Sequence, residues 1–186
     1  MAQYRLSASV IGRSSGRSAT AAAAYRAGER IYDRRTGQTH DYSRKGGVHH
    51  TEILCPDGAP AWMRNRSELW NGVEAAETRR NSQLAREIQL SLPHELTDQQ
   101  RINLVRRFIE DQFVARGMVA DLAVHEPSQH DMADDRNHHA HIMLTTRELL
   151  GEGFGKKARD WNDREVLATW REEWARYQNR EFERLG

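Results

Sequence analysis

His139-Ala140-His141-Ile142-Met143-Leu144-Thr145-Thr146 alternates polar and apolar residues with the period of a β-strand over its first four positions. On a strand His139 and His141 project from one face, while Ala140, Ile142 and Leu144 turn to the other. Upstream, Met118 to His125 has the same strand character, and a polar stretch through Asn137 separates the two segments. The pair is therefore expected as an antiparallel hairpin with a long loop, with His125 ending one strand beside the histidines of the other. Such a hairpin needs a sheet with one apolar and one polar face.

Other segments supply it. Residues 3–10 place Tyr4, Leu6, Ala8 and Val10 on one side and Arg5, Ser7 and Ser9 on the other. Residues 86–92 set Ile88, Leu90 and Leu92 against Glu87, Gln89 and Ser91, and stop at Pro93. Val48 to Cys55 reads as a further strand, ended by the Pro56-Asp57-Gly58 turn. Between strands lie helical signals. Ser18 is an N-cap for an alanine-rich helix carrying Tyr25 and stopped by Gly28. Ser67 to about Arg80 turns Leu69, Trp70 and Val73 inward, and Thr97 with Gln100 forms a capping box ahead of the stripe Ile102, Val105, Phe108, Ile109 and Phe113. Residues 163–185 form an amphipathic helix whose Trp170 and Trp174 are core residues by their spacing. Arg30 to Gly47 shows neither period and is expected as a mobile loop. The class is α+β, a central antiparallel sheet backed by helices.

The 186 residues fit one domain, 30% charged and 38% hydrophobic, polar yet with apolar residues enough to fold. A net charge of +1 does not announce a nucleic-acid binder, so any phosphate-binding surface must come from local clustering. Arg13, Arg17, Arg26, Arg30, Arg34, Arg35, Arg44 and Lys45 provide it in the first 50 residues, although a solvated basic surface has the same composition. The lone Cys55 has no disulfide partner and reads as an inert, buried thiol. No signal-peptide core or long apolar run is present, which points to the cytoplasm without membrane insertion.

Three imidazoles from His125, His139 and His141, placed on one hairpin, have the donor type and spacing for a divalent ion. Imidazole nitrogen suits Zn, Mn, Fe, Co or Ni, and three protein ligands leave positions open for a substrate oxygen. A phosphodiester gains most from such an ion, because charge builds on its non-bridging oxygens during displacement. Each histidine alone reads equally as a hydrogen-bonded core residue; the cluster does not. His138 and His130 are possible competitors, whereas Asp131, Asp134 and Asp135 are expected in solvent.

No Ser-His-Asp arrangement, P-loop or glycine-rich nucleotide fingerprint is visible. Tyr25 among alanines, with Ala21, Ala24 and Gly28 spaced along its helix, is the unusual candidate for attack, because small neighbours let the helix approach the polar side of a sheet. Taken alone, its context favours a packed core tyrosine. A phenol of ordinary pKa, about 10, is a weak nucleophile at neutral pH and needs a cation nearby, with the metal or Arg26 the candidates. Glu87, on the polar face of a strand, is placed either to orient a ligand histidine or to take the tyrosine proton.

The residues Ala24-Tyr25-Arg26-Ala27-Gly28, Arg86-Glu87-Ile88-Gln89-Leu90-Ser91-Leu92-Pro93, Leu122-Ala123-Val124-His125 and Asn137-His138-His139-Ala140-His141 together resemble MobA/MobL-type relaxases, in particular the amino-terminal relaxase domain of TraA-type conjugative proteins. The resemblance covers nearly the whole chain, residues 1–186 as one domain, and implies a longer protein with a helicase or primase region. It implies an HUH-endonuclease fold that nicks one strand of single-stranded plasmid DNA at an origin of transfer. By that resemblance Tyr25 becomes joined to the 5′ phosphate, and reversal recloses the strand. His125, His139 and His141 would hold the ion, Mn²⁺ or Mg²⁺, and accessory relaxosome proteins and a coupling protein would be partners. Two positions depart from the pattern: His138 stands where proline is common, and Gln89 where some relatives have a carboxylate.

Single-strand binding is expected to combine Arg13, Arg17, Arg26, Arg44 and Lys45 with stacking on Tyr42 or Trp161. Two other readings remain: a rolling-circle replication initiator, in which the tyrosine usually follows the histidine pair, and a non-catalytic, metal-stabilised DNA-binding module.

Overall fold

The computed structural model describes residues 4–127 and 136–186, so His130, Asp131, Asp134 and Asp135 lie outside the described residues. The chain forms β1 (Leu6–Gly12), α1 (Ala19–Ala27), β2 (Arg30–Tyr32), β3 (Thr39–Asp41), β4 (Val48–Leu54), α2 (Arg66–Ala76) and β5 (Gln83–Ser91). It continues through α3 (Asp98–Gln112), β6 (Ala120–His125), β7 (His139–Leu144), β8 (Arg147–Leu150), β9 (Gly153–Lys157) and α4 (Arg164–Leu185). Five strands make the main sheet in the order β1-β5-β7-β6-β4, every neighbour antiparallel. This is the α+β class expected, a central antiparallel sheet flanked by helices.

Alternation divides each strand between two cores. Leu6, Ile88, Leu90, Leu122, Val124, Ala140, Ile142 and Leu144 pack with Phe108, Phe113, Trp170 and Trp174 of the α3 and α4 side. On the opposite face Ile11, Ala85 and Met143 pack with Ala22, Ala23, Ala24, Leu69, Trp70 and Val73 of α1 and α2. Helices therefore cover both faces, including the polar one. Burial of that polar face is made tolerable by pairing. Asp121 of β6, 5% exposed, accepts from Arg66 Nε at 2.9 Å and Trp70 Nε1 at 2.8 Å, which pins α2 to the sheet.

The caps behave as local chemistry dictates. Ser18 accepts from the Ala21 amide, Gly28 closes α1 with φ 66°, and Thr97 and Gln100 exchange both hydrogen bonds of a capping box. Four expectations need correction. Residues 30–47 are not a structureless loop: β2 and β3 form a hairpin whose strands, three residues each, are too short to show a period. Asp33 organises the turn, accepting from the Arg35 and Thr36 amides and the Thr20 hydroxyl. α2 ends at Ala76 rather than near Arg80, because Glu77 leaves the helix to bind Arg147 and Lys157. β1 starts at Leu6, and Val10 faces outward at 36% exposure, while Ile11 enters the second core.

Candidate active site

β7 lies at the centre of the sheet, so its side chains meet those of both neighbours. In register, His139 stands between Ser91 of β5 and His125 of β6, and His141 between Gln89 and Ala123. The three histidine rings converge, with centroids 4.7 to 5.2 Å apart. One ligating atom from each lies within 4.8 Å of the others.

Each ring has one nitrogen already engaged. His125 Nε2 donates to the Arg26 carbonyl at 2.7 Å, His139 Nδ1 to the Asn137 carbonyl at 3.2 Å, and His141 Nδ1 to Glu87 Oε1 at 3.0 Å. An acceptor on one nitrogen fixes the tautomer and leaves the other with its lone pair, the arrangement a ligating imidazole requires. Burial, together with the neighbouring His141, His139 and Lys45, pushes His125 down to about 4, and burial lowers His139 as well. Imidazole nitrogens in a convergent set fit a divalent cation. His138 is not one of the convergent histidines, and its backbone carbonyl accepts from the Leu92 amide.

Glu87 is 7% exposed. Burial alone would raise its pKa, but His141 and Arg26 outweigh it and hold the carboxyl at about 2. Both oxygens are taken, Oε1 by His141 and Oε2 by the Arg26 guanidinium. Arg26 is in turn anchored to the Ala22 carbonyl at 3.1 Å. Its guanidinium thus faces the sheet at Glu87.

Tyr25 is not a core residue. Its ring is 50% exposed at the last turn of α1, one residue before the carbonyl that His125 grips. Tyr42 packs edge-on at 5.2 Å between centroids. The cation on the ring is one that sequence spacing did not assign: Lys45 Nζ lies 3.5 Å from the ring centroid and donates to the Tyr25 carbonyl at 2.8 Å.

The remaining expected DNA contacts are dispersed. Arg13 is clasped by Glu74 at 2.7 Å and by the Glu77 carbonyl at 2.6 Å, so its guanidinium serves the α1–α2 junction. Arg17 is exposed beside a recess of about 400 Å³ shared with Arg35 and His40, and Arg44 is exposed near Tyr42. Trp161 is no stacking platform: it is 6% exposed and packs against Phe113 and Trp170, whereas Tyr42 is 36% exposed. Cys55 is half-buried, and burial raises its thiol, as an inert role requires. A basic recess of about 670 Å³, lined by Arg79, Arg147, Lys157 and Arg159, lies at the Gln83 end of β5, away from the histidines at the Ser91 end. Among the described residues no helix is long and apolar enough to cross a membrane.

A family model described as the MobA/MobL family matches residues 17–186. The mobilization protein MobL of Acidithiobacillus ferridurans is 45% identical over 181 residues, covering 85% of this chain and 46% of that protein. The conjugal transfer protein TraA of Rhizobium radiobacter is 41% identical over 167 residues, covering 84% of this chain and 14% of the relative. The chain therefore spans less than half the length of either relative. A solved structure described as "Molecular Basis of Vancomycin Resistance Transfer in Staphylococcus aureus" superposes with a TM-score of 0.87 at 34% identity, covering 100% of this chain and 95% of that one.

Proposed function

The chain belongs to the MobA/MobL family, and from that premise we propose that it is the relaxase domain of a longer conjugative or mobilisation protein, of HUH-endonuclease type, nicking and rejoining single-stranded plasmid DNA at an origin of transfer. One observation carries the proposal: a convergent set of three oriented histidines lies under the end of the helix that presents an exposed tyrosine.

Tyr25 is the nucleophile. Its phenolic oxygen forms a bond to the scissile phosphorus as the bond from phosphorus to the 3′ oxygen breaks. The phenolic proton is lost, the departing oxygen gains one, and the 5′ phosphate remains on Tyr25. Attack by a 3′ hydroxyl on the phosphotyrosine reverses the sequence and rejoins a strand. When bound by His125, His139 and His141, a divalent ion, with Mn²⁺ or Mg²⁺ expected, supplies Lewis-acid stabilisation of charge on the phosphate. Glu87 acts as orienter of His141 and not as base, since His141 and Arg26 hold its carboxyl at about 2, too weak a base for a phenol proton.

The exposed Arg44, beside Tyr42 in the turn that touches Tyr25, draws the DNA backbone toward this end of the sheet, the exposed Arg17 meets it at the other end of α1, and Tyr42 offers a face for a base. The reaction belongs in the cytoplasm, with accessory relaxosome proteins and a coupling protein acting on the whole protein. Incubation of wild type and Tyr25→Phe with single strands of a candidate origin, with Mn²⁺ or Mg²⁺ supplied, tests the reading. A covalent adduct from wild type alone is expected. Equal adduct from both proteins, or none from either, rejects it.

A further inference from the structure

Lys45 is twenty residues from Tyr25 in sequence, yet its ammonium touches that residue twice, 3.5 Å from the ring centroid and 2.8 Å from the backbone carbonyl. The contact is built into the fold. Gly28 ends α1 in the left-handed conformation, and a Cβ there would meet Val48 Cγ2 at 3.3 Å, with the Tyr42 and Lys45 carbonyls each 3.7 Å away. The 42–45 turn, closed by the Lys45 amide on the Tyr42 carbonyl at 2.9 Å, can therefore sit directly on the helix end. Tyr42 braces the ring from its edge while Lys45 covers a face.

A lysine near a helix C-terminus serves the unpaired carbonyls there, and the bond to the Tyr25 carbonyl does so. Capping does not require the ammonium to lie over the aromatic face. That placement puts a partly desolvated positive charge, with burial and Arg26 depressing its pKa, against the side chain that must develop negative charge on its oxygen. Lys45 holds the Tyr25 carbonyl and His125 the next one, that of Arg26, so the cation and the histidine cluster meet the same helix end on adjacent carbonyls. Arg26, the neighbour in sequence, cannot do this because Glu87 holds it.

We propose that Lys45 is a positioning residue for the nucleophile: its ammonium fixes the Tyr25 ring at the mouth of the histidine cluster and stabilises the phenolate as attack on phosphorus develops. The proposal rests on the nucleophilic reading of Tyr25, and differs from a plain phosphate contact in the step it affects. A phosphate contact strengthens binding of the uncleaved strand; a cation on the ring accelerates its cleavage once bound.

Three variants separate these roles. Lys45→Gln keeps a donor for the Tyr25 carbonyl without charge, Lys45→Arg keeps the charge, and Lys45→Met keeps neither. Single-turnover adduct formation at saturating origin strand is measured with Mn²⁺, alongside strand affinity and thermal melting, with wild type and Tyr25→Phe as controls. The rate is expected to fall about tenfold or more in Lys45→Gln and Lys45→Met, with affinity within about twofold and most of the rate restored in Lys45→Arg. A Lys45→Gln rate equal to wild type overturns the proposal, as does a loss confined to affinity. Loss in Lys45→Met alone, tracking its melting temperature, also overturns it, because that is the signature of helix capping. Should wild type itself form no adduct, the nucleophilic reading of Tyr25 fails, and this inference with it.

Discussion

Glu87 Oε1 receives the Nδ1 proton of His141 at 3.0 Å, while the other oxygen of the same carboxylate carries Arg26. One buried side chain thereby ties α1, through Arg26, to the central strand of the sheet. Glu87→Ala strips the orienting acceptor from His141 and leaves the Arg26 charge buried and unpaired. Metal affinity is expected to fall by about 10–100-fold and stability by about 3–5 kcal/mol. Isothermal titration with Mn²⁺ and denaturant unfolding measure both, and unchanged metal affinity contradicts the orienting role.

pH acts on the metal-free fold through two groups in different windows. His125 has a folded value of about 4 against an ordinary 6.5, so as pH falls the unfolded chain binds this proton first. Stability is lost progressively from about pH 6.5 to about pH 4, and His139, lowered in the same direction, adds to the loss. Glu87, at about 2 against 4.5, keeps its contribution down to about pH 4.5 and loses it toward pH 2. Metal-free melting temperatures should therefore already decline between pH 6.5 and 4.5; a flat profile there contradicts the buried, neutral state of His125.

Asp121 is the polar anchor at the other end of the same sheet face, accepting from Arg66 and Trp70. Asp121→Ala leaves a buried guanidinium without its main partner and is expected to cost about 3–5 kcal/mol. Because Asp121 touches none of the three histidines, metal affinity of the folded variant should match wild type. A comparable loss of metal binding in fully folded protein would show that the two ends of the face are coupled.

Gly28 has φ 66°, and an added Cβ would press on Val48 at 3.3 Å. Gly28→Ala is expected to cost about 1–2 kcal/mol from the left-handed backbone alone. It should also displace the 42–45 turn from Tyr25, lowering adduct formation further than the stability change explains. Equal activity at a temperature where both proteins are folded counts against that coupling.

What the sequence disclosed followed from period and type. Alternation at 86–92 and 139–142 put Glu87, His139 and His141 on one face, and the capping residues Ser18, Gly28, Thr97 and Gln100 marked their helix ends correctly. The pairing of His125 with His139 followed from the hairpin. Long-range side-chain choices left no such trace. That Arg26 turns to Glu87 and Lys45 to Tyr25, that Arg13 is spent on Glu74, and that Trp161 is core are decided by tertiary packing. The β2–β3 hairpin escaped detection because three-residue strands carry no readable period.

The central claim is that Tyr25 attacks the phosphate, and the neighbouring Tyr42, 5.2 Å away ring to ring, makes the assignment a question of which oxygen is used. Mass spectrometry of the trapped protein–DNA adduct after trypsin and nuclease digestion answers it, since the two tyrosines fall in separate peptides, Ser18–Arg26 and Thr36–Arg44. The nucleotide mass is expected on the Ser18–Arg26 peptide at Tyr25. Its appearance on the Thr36–Arg44 peptide, or on neither, contradicts the account.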